Sequence, residues 1–217
     1  MKIGVLLVNL GSPGAAEPKA VGKYLRQFLM DPFVIDIPYP LRFLLVKGII
    51  APIRKYRSAE AYQKVWTNRG SPLVAMSGDL GNALAKELGS DFAVEIGMRY
   101  GNPSIEEGLT QLKYQNVDRY LVLPLYPQYA ASSTETAVVE ANRAAESLGI
   151  SKKVKILPPF YDLPEYIESL AITCAREVQS FHPDHILFSY HGLPNKAIRK
   201  SCEVSDPCIN TWQACSK

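Results

Sequence analysis

The sequence predicts an α/β fold, a parallel β-sheet covered by helices on both faces. Three observations carry that expectation. Apolar runs rich in β-branched and aromatic residues recur at 3–10, 92–98, 120–125, 154–157 and 186–190. Between them lie segments of helical spacing at 20–29, 58–66, 74–88, 104–114, 134–148 and 165–181. Strands alternating with helices of this length imply right-handed βαβ crossovers. Residues 5–8 and 121–125 are almost continuously apolar, which suits strands buried on both faces.

Taken in order, the opening MKIGVLLVNLGSPG could be mistaken for a signal peptide, since one Lys precedes an apolar run. No A-x-A site follows, and GSPG leads straight into helical periodicity, so a first strand fits better. LGSPG then reads as a tight turn or a small phosphate loop, although it lacks both G-x-G-x-x-G and a P-loop Lys. Residues 38–53, PYPLRFLLVKGIIAPI, are strongly apolar but shorter than the ~20 residues that cross a bilayer. They are either a buried helix with basic ends at Arg42 and Lys47, or an exposed apolar lip touching ligand or membrane. The strands at 154–157 and 186–190 either extend the first sheet or open a second domain. Two strands and one helix cannot bury a core alone, so the second option requires further chain.

A chain of 217 residues, 47% hydrophobic and 21% charged, has the profile of a soluble globular protein. A net charge of +3 with no basic run argues against a nucleic-acid partner. Cytoplasmic location is the expectation. Of four cysteines, Cys202, Cys208 and Cys215 crowd the end of the chain, away from Cys174. In a reducing compartment such crowding points to metal or redox chemistry rather than disulfides.

In open parallel sheets ligands bind beyond the carboxyl ends of the strands. Four polar loops follow strands here and should share one crevice: LGSPG, RYGNP, YPQYAASSTET and HGLP. Arg99 closes a strand and could hold a carboxylate bidentately, beside Tyr126, Gln128 and Tyr129. The tyrosines offer flat surfaces with polar tips. Ser132, Ser133 and Thr134 read as a helix N-cap, with Glu135 in the first turn. His191 follows ILFSY in the expected crevice and is either a turn residue or a reactive group. His182 and His185 flank a Pro-Asp turn and read as surface residues. No G-x-S-x-G elbow supports a serine hydrolase.

Six motifs in order carry a resemblance: VNLGSP (8–13), FLMDPFVIDIP (28–38), YQKVWTNRGSPL (62–73), MRYGNPSI (98–105), LPLYPQYAASST (123–134) and LFSYHGLP (187–194). Together they resemble the ferrochelatase family, which inserts Fe²⁺ into a porphyrin to make haem. The resemblance implies two similar flavodoxin-like, chelatase-like α/β domains with the porphyrin between them. Residues 1–150 would then form the first domain and 151–217 the incomplete beginning of the second. It further implies that His191 is the catalytic histidine of F-S-x-H-x-L-P. Arg99, Tyr126, Tyr62 and Ser71 would line the porphyrin cleft, and Arg54 would bind a propionate. Residues 38–53 would be the apolar lip at the mouth, a point of peripheral membrane contact.

The chemistry agrees with that assignment. Metal enters a porphyrin only after two pyrrole protons leave. An imidazole ordinarily titrates near pH ~6.5 and can accept such a proton. It is also a competent Fe²⁺ ligand, although one lone pair cannot serve both roles at once. Two departures from the family pattern stand out. The H-x-E-T motif that supplies an acidic residue is absent, so the chain reads as truncated and of little chelatase activity alone. The tail KSCEVSDPCINTWQACSK has C-x5-C-x6-C spacing, and some family members carry a [2Fe–2S] cluster, which needs four thiolates. Cys202, Cys208 and Cys215 could supply three, and free thiols or a Zn site are the alternatives. A chelatase for another metal, or a non-catalytic phosphate- or porphyrin-binding flavodoxin-like module, are the other functional readings.

Overall fold

A computed structural model describes residues 1–194. Strand β1 (Ile3–Gly11) leads through the LGSPG turn into helix α1 (Pro18–Leu29). Helix α2 (Tyr39–Phe43) runs through a π-helical turn, Leu44–Ile50, into α3 (Ala51–Val65). Then follow α4 (Pro72–Leu88), β2 (Phe92–Tyr100), α5 (Ile105–Tyr114), β3 (Arg119–Pro124) and α6 (Thr136–Ser147). The described elements end with β4 (Val154–Ile156) and α7 (Pro164–Phe181).

The four strands form one parallel sheet in the order β2-β1-β3-β4. Alternation along β1 sends Leu6 and Val8 to one face and Val5 and Leu7 to the other, and all four are buried. Leu6 and Val8 join Ile105, Leu109 and Leu112 of α5 and Ala137, Ala141 and Ala144 of α6 in one core. Gly81 of α4 sits against Val94 and Ile96 on the opposite face of β2. A second core joins Val21, Leu25 and Leu29 of α1 to Val46, Ala51 and Ala59. Both faces are thus covered, as the apolar strands require. Helix α5 starts on a capping box: Ser104 Oγ accepts the Glu107 N–H at 3.1 Å, and the Glu107 carboxylate accepts the Ser104 N–H at 2.6 Å.

Strand β4 hydrogen-bonds to β3, so the strand expected to open a second domain extends the first sheet. A boundary at 150 would fall inside that sheet. The run 186–190, expected as a strand, has no strand conformation and is exposed, with Leu187 94% accessible. An apolar β-branched sequence becomes a strand only where a neighbouring edge takes up its backbone hydrogen bonds, and no described strand pairs with it. Helix α7 likewise buries none of its residues.

Residues 38–53 combine parts of both readings given above. The basic end is not solvated: Arg42 is 7% exposed, and its Nη1 donates to the carbonyls of Ile35 and Ile37 at 3.0 Å each. Leu41, Leu44, Ile49 and Ile53 face solvent while Val46 and Ala51 are fully buried. The π turn lets one continuous helix present an apolar stripe on each side. No described helix is long and apolar enough to cross a membrane.

Two glycines lock the ends of β1 and β2 together. Gly11 has φ +98°, and a Cβ there would lie 1.7 Å from the Tyr100 carbonyl oxygen. Gly101 has φ +84°, and its Cβ would lie 2.4 Å from the Ser12 carbonyl oxygen. Only residues without side chains allow this approach. Gly11→Ala is expected to cost about 2–4 kcal/mol from conformational strain and overpacking. Gly14→Ala, where a Cβ meets nothing within 4 Å, should change stability by less than ~0.5 kcal/mol. Urea unfolding checks this, and equal midpoints for the two variants would refute the interlock.

Candidate functional site

The carboxyl ends of β1, β2 and β3 converge on a buried carboxylate. Asp31 follows α1 in the turn MDPF, and its Oδ1 accepts the Phe33 N–H at 2.8 Å, closing an Asx turn. Its Oδ2 accepts from Arg99 Nη2 at 2.5 Å, Thr136 Oγ1 at 2.6 Å and the Tyr100 hydroxyl at 2.8 Å. Arg99 Nε donates to Thr136 Oγ1 at 2.7 Å and to the Thr136 carbonyl at 3.1 Å. The side chain of Asp31 is 2% exposed and that of Arg99 is 16%. Buried charges persist only when paired and hydrogen-bonded, and this pair meets both conditions.

An aromatic wall adjoins the network. The Arg99 guanidinium lies 4.5 Å from the Tyr100 ring centroid. Tyr100 packs edge-on against Phe28 at 5.1 Å and Tyr24 at 6.5 Å. Tyr24 in turn meets Tyr62 edge-on at 6.4 Å, and Tyr62 meets Trp66 at 6.3 Å. The Tyr126 hydroxyl is buried and has no hydrogen-bond partner among the described residues. Burial pushes the phenols of Tyr24, Tyr100 and Tyr126 well above the ordinary tyrosine range. Burial also raises Tyr62, less strongly.

Of the residues singled out in the sequence, Arg99, Tyr126 and Tyr62 stand in or against this wall. The carboxylate that Arg99 holds is the protein's own Asp31, gripped through Nη2 while Nε serves Thr136. Ser71 is buried at the start of α4 without capping it through its side chain. Arg54 is exposed on α3 and has no ion-pair partner among the described residues. His191 is exposed beyond α7, outside any described helix or strand. Cys202, Cys208 and Cys215 lie outside the described residues, and Cys174 is exposed on α7. Among the described residues no group of three or more His, Cys, Asp or Glu could hold a metal ion.

The capping reading of Ser132–Thr134 is corrected. Residues Ala131–Glu135 form a π-helical turn with no side-chain cap, and α6 begins after it. Ser133 Oγ and Thr134 Oγ1 donate to the carbonyls of Ala130 and Gln128 instead, each at 3.4 Å. Asp31 and Thr136 escaped the sequence reading altogether. Asp31 sits in a quoted motif, and an acidic residue just before a proline after an amphipathic helix could have marked it as a turn anchor. Thr136 is hidden among four other polar residues.

The ferrochelatase family model matches residues 2–217. Among similar curated proteins, a ferrochelatase of Coxiella burnetii (strain Dugway 5J108-111) is 45% identical over 205 residues, covering 94% of this chain and 57% of that protein. A ferrochelatase of Stutzerimonas stutzeri is 44% identical over 213 residues, covering 98% and 62%. One from Azotobacter vinelandii is 43% identical over 211 residues, covering 97% and 62%. The chain thus spans roughly three fifths of the length of the relatives it matches.

Asp31→Asn and Arg99→Met are each expected to lower stability by about 2–4 kcal/mol, since each strands a buried partner. The double variant should lose at least ~1 kcal/mol less than the two losses combined. Strict additivity in chemical denaturation would show that the pair does not act as a unit. The raised tyrosines make a second prediction. The unfolded chain gives up phenolic protons near pH ~10, before the folded one does. Their contribution is therefore intact below that pH and is lost as pH climbs above it. Unfolding midpoints between pH 8 and 11 should fall at the alkaline end, and less steeply in Tyr126→Phe; an identical slope would refute the assignment.

Proposed function

The chain belongs to the ferrochelatase family, and from that premise we propose that it acts in inserting ferrous iron into a porphyrin. The observation that carries this reading is the family match along residues 2–217. The aromatic wall supports it, because a flat macrocycle needs flat partners and the half-buried rings of Tyr62 and Tyr126 can supply them, with the buried Tyr24 and Tyr100 packed behind.

In this proposal Arg99, Tyr126, Tyr62 and Ser71 contact the porphyrin, and Arg54 pairs with a propionate. The exposed Arg54 guanidinium is free to do so. Arg99, already held by Asp31, presents a positioned positive edge rather than a mobile clamp. The buried Tyr126 hydroxyl retains its hydrogen for a ligand acceptor. His191 takes a pyrrole proton or ligates the iron. Its exposure in the described residues means that folding makes no demand on it, which leaves the imidazole available for chemistry. The apolar stripe of 38–53 forms the peripheral membrane contact, with Lys47 4.5 Å from the Phe43 ring on that surface. Cys202, Cys208 and Cys215 are proposed as thiolate ligands of a [2Fe–2S] cluster, and no step of the reaction depends on them. With no H-x-E-T motif in the sequence, little chelatase activity is expected of these 217 residues alone.

Porphyrin titrated into the chain is expected to shift its Soret band and quench its fluorescence saturably. Absence of both would overturn the reading. In a chain that turns over, His191→Ala should slow metalloporphyrin formation roughly 10²–10⁴-fold, the range for a lost proton acceptor, with an unchanged melting temperature. Unchanged turnover would exclude the histidine.

A further inference from the structure

A cavity of about 570 Å³ opens between the turn after β1, helix α1 and the turn after β2. Ser12, Lys23, Tyr24, Gln27, Gly101 and Asn102 are among its lining, and no Asp or Glu is. Ser12 is 4% exposed, and its Oγ is buried without a hydrogen-bond partner among the described residues. A buried hydroxyl left unpaired forfeits its hydration with nothing in return, so its presence asks for an acceptor. Lys23 stands exposed at the cavity and has no ion pair among the described residues. Gln27 Oε1 accepts the Gly101 N–H at 3.0 Å, which fixes that amide and leaves its NH₂ as a donor. The N-cap of helix α1 is Glu17, whose side chain makes no capping hydrogen bond and does not line the cavity, whereas Ala20 of the first turn does. Uncapped N–H groups and the positive end of a helix both favour an anion. The cavity carries the positive charge of Lys23 with no carboxylate in its lining, and the Tyr24 hydroxyl already donates to the Gly11 carbonyl at 3.3 Å.

The geometry points to an oxyanion subsite at this cavity, in which Lys23 and Ser12 hold a carboxylate or phosphate group. It is separate from Arg99, whose Nε and Nη2 are taken by Thr136 and Asp31. The same chemistry fits a free anion or a carboxylate arm tethered to a larger substrate. The subsite stands on the cavity alone, so it survives or fails apart from the porphyrin reading.

The test uses the full chain with Lys23→Met and Ser12→Ala, and two probes. Inorganic phosphate, titrated calorimetrically, reads a free anion. A porphyrin dicarboxylic acid compared with its dimethyl ester reads a tethered one. Each variant is expected to weaken phosphate binding, or to abolish the preference for acid over ester, roughly 10-fold, the value of one charge-assisted hydrogen bond. Loss on the phosphate arm identifies a free anion, and loss on the ester arm a tethered carboxylate. Ser12→Ala should also leave the unliganded melting temperature unchanged or higher, because it removes an unsatisfied group. Unchanged binding of both probes would overturn the proposal. So would an effect of Lys23→Met without one of Ser12→Ala, which would mean diffuse charge rather than a built pocket.

Discussion

One carboxylate oxygen holds together the business end of this fold. Asp31 Oδ2 joins the chain just after α1 to the end of β2 and the start of α6, through Arg99, Tyr100 and Thr136. None of these groups could be buried at reasonable cost alone. A guanidinium needs a counter-charge, a phenol needs an acceptor and a carboxylate needs donors on both oxygens. Each supplies what another lacks, and the result fixes a cation and a tyrosine ring at the mouth of the sheet. The glycine interlock between the β1 and β2 turns then sets the floor beside them.

This arrangement separates two jobs that the sequence alone had merged. Arg99 looked like a group free to seize a ligand; in the structure its charge is already balanced, and it contributes direction rather than an unmet demand. Lys23 and Arg54, by contrast, have no ion-pair partner among the described residues. Exposed charge and rigid, internally balanced charge thus fall to different residues, so either can be changed without disturbing the other.

Much of the fold was legible because it is written in local periodicity. The runs 3–10, 92–98, 120–125 and 154–157 became β1 to β4 within two residues at every end, and the Ser104–Glu107 capping box is a four-residue pattern. What stayed hidden depends on distance. Asp31 and Thr136 meet across 105 positions, and no local pattern announces a partner that remote. The hydroxyls of 132–134 were misread for a related reason. A π turn redirects them to carbonyls, and which turn forms is decided by packing around Thr134 rather than by composition. Residues 186–190 carry the composition of a strand, yet pairing is a property of two segments, and only one was legible.

The sheet order has a consequence for how the chain is made. Strand β1 is central, flanked by β2 and β3, and its first residue pairs with Phe92 on one side and Arg119 on the other. A ribosome adding about 5–20 residues per second would need several seconds to reach either partner. Throughout that interval IGVLLVNLG is an apolar, uncharged segment with no neighbour, the composition that favours association between nascent chains. The most deeply buried of the described strands is thus the most vulnerable of them during synthesis, and a chaperone's earliest concern.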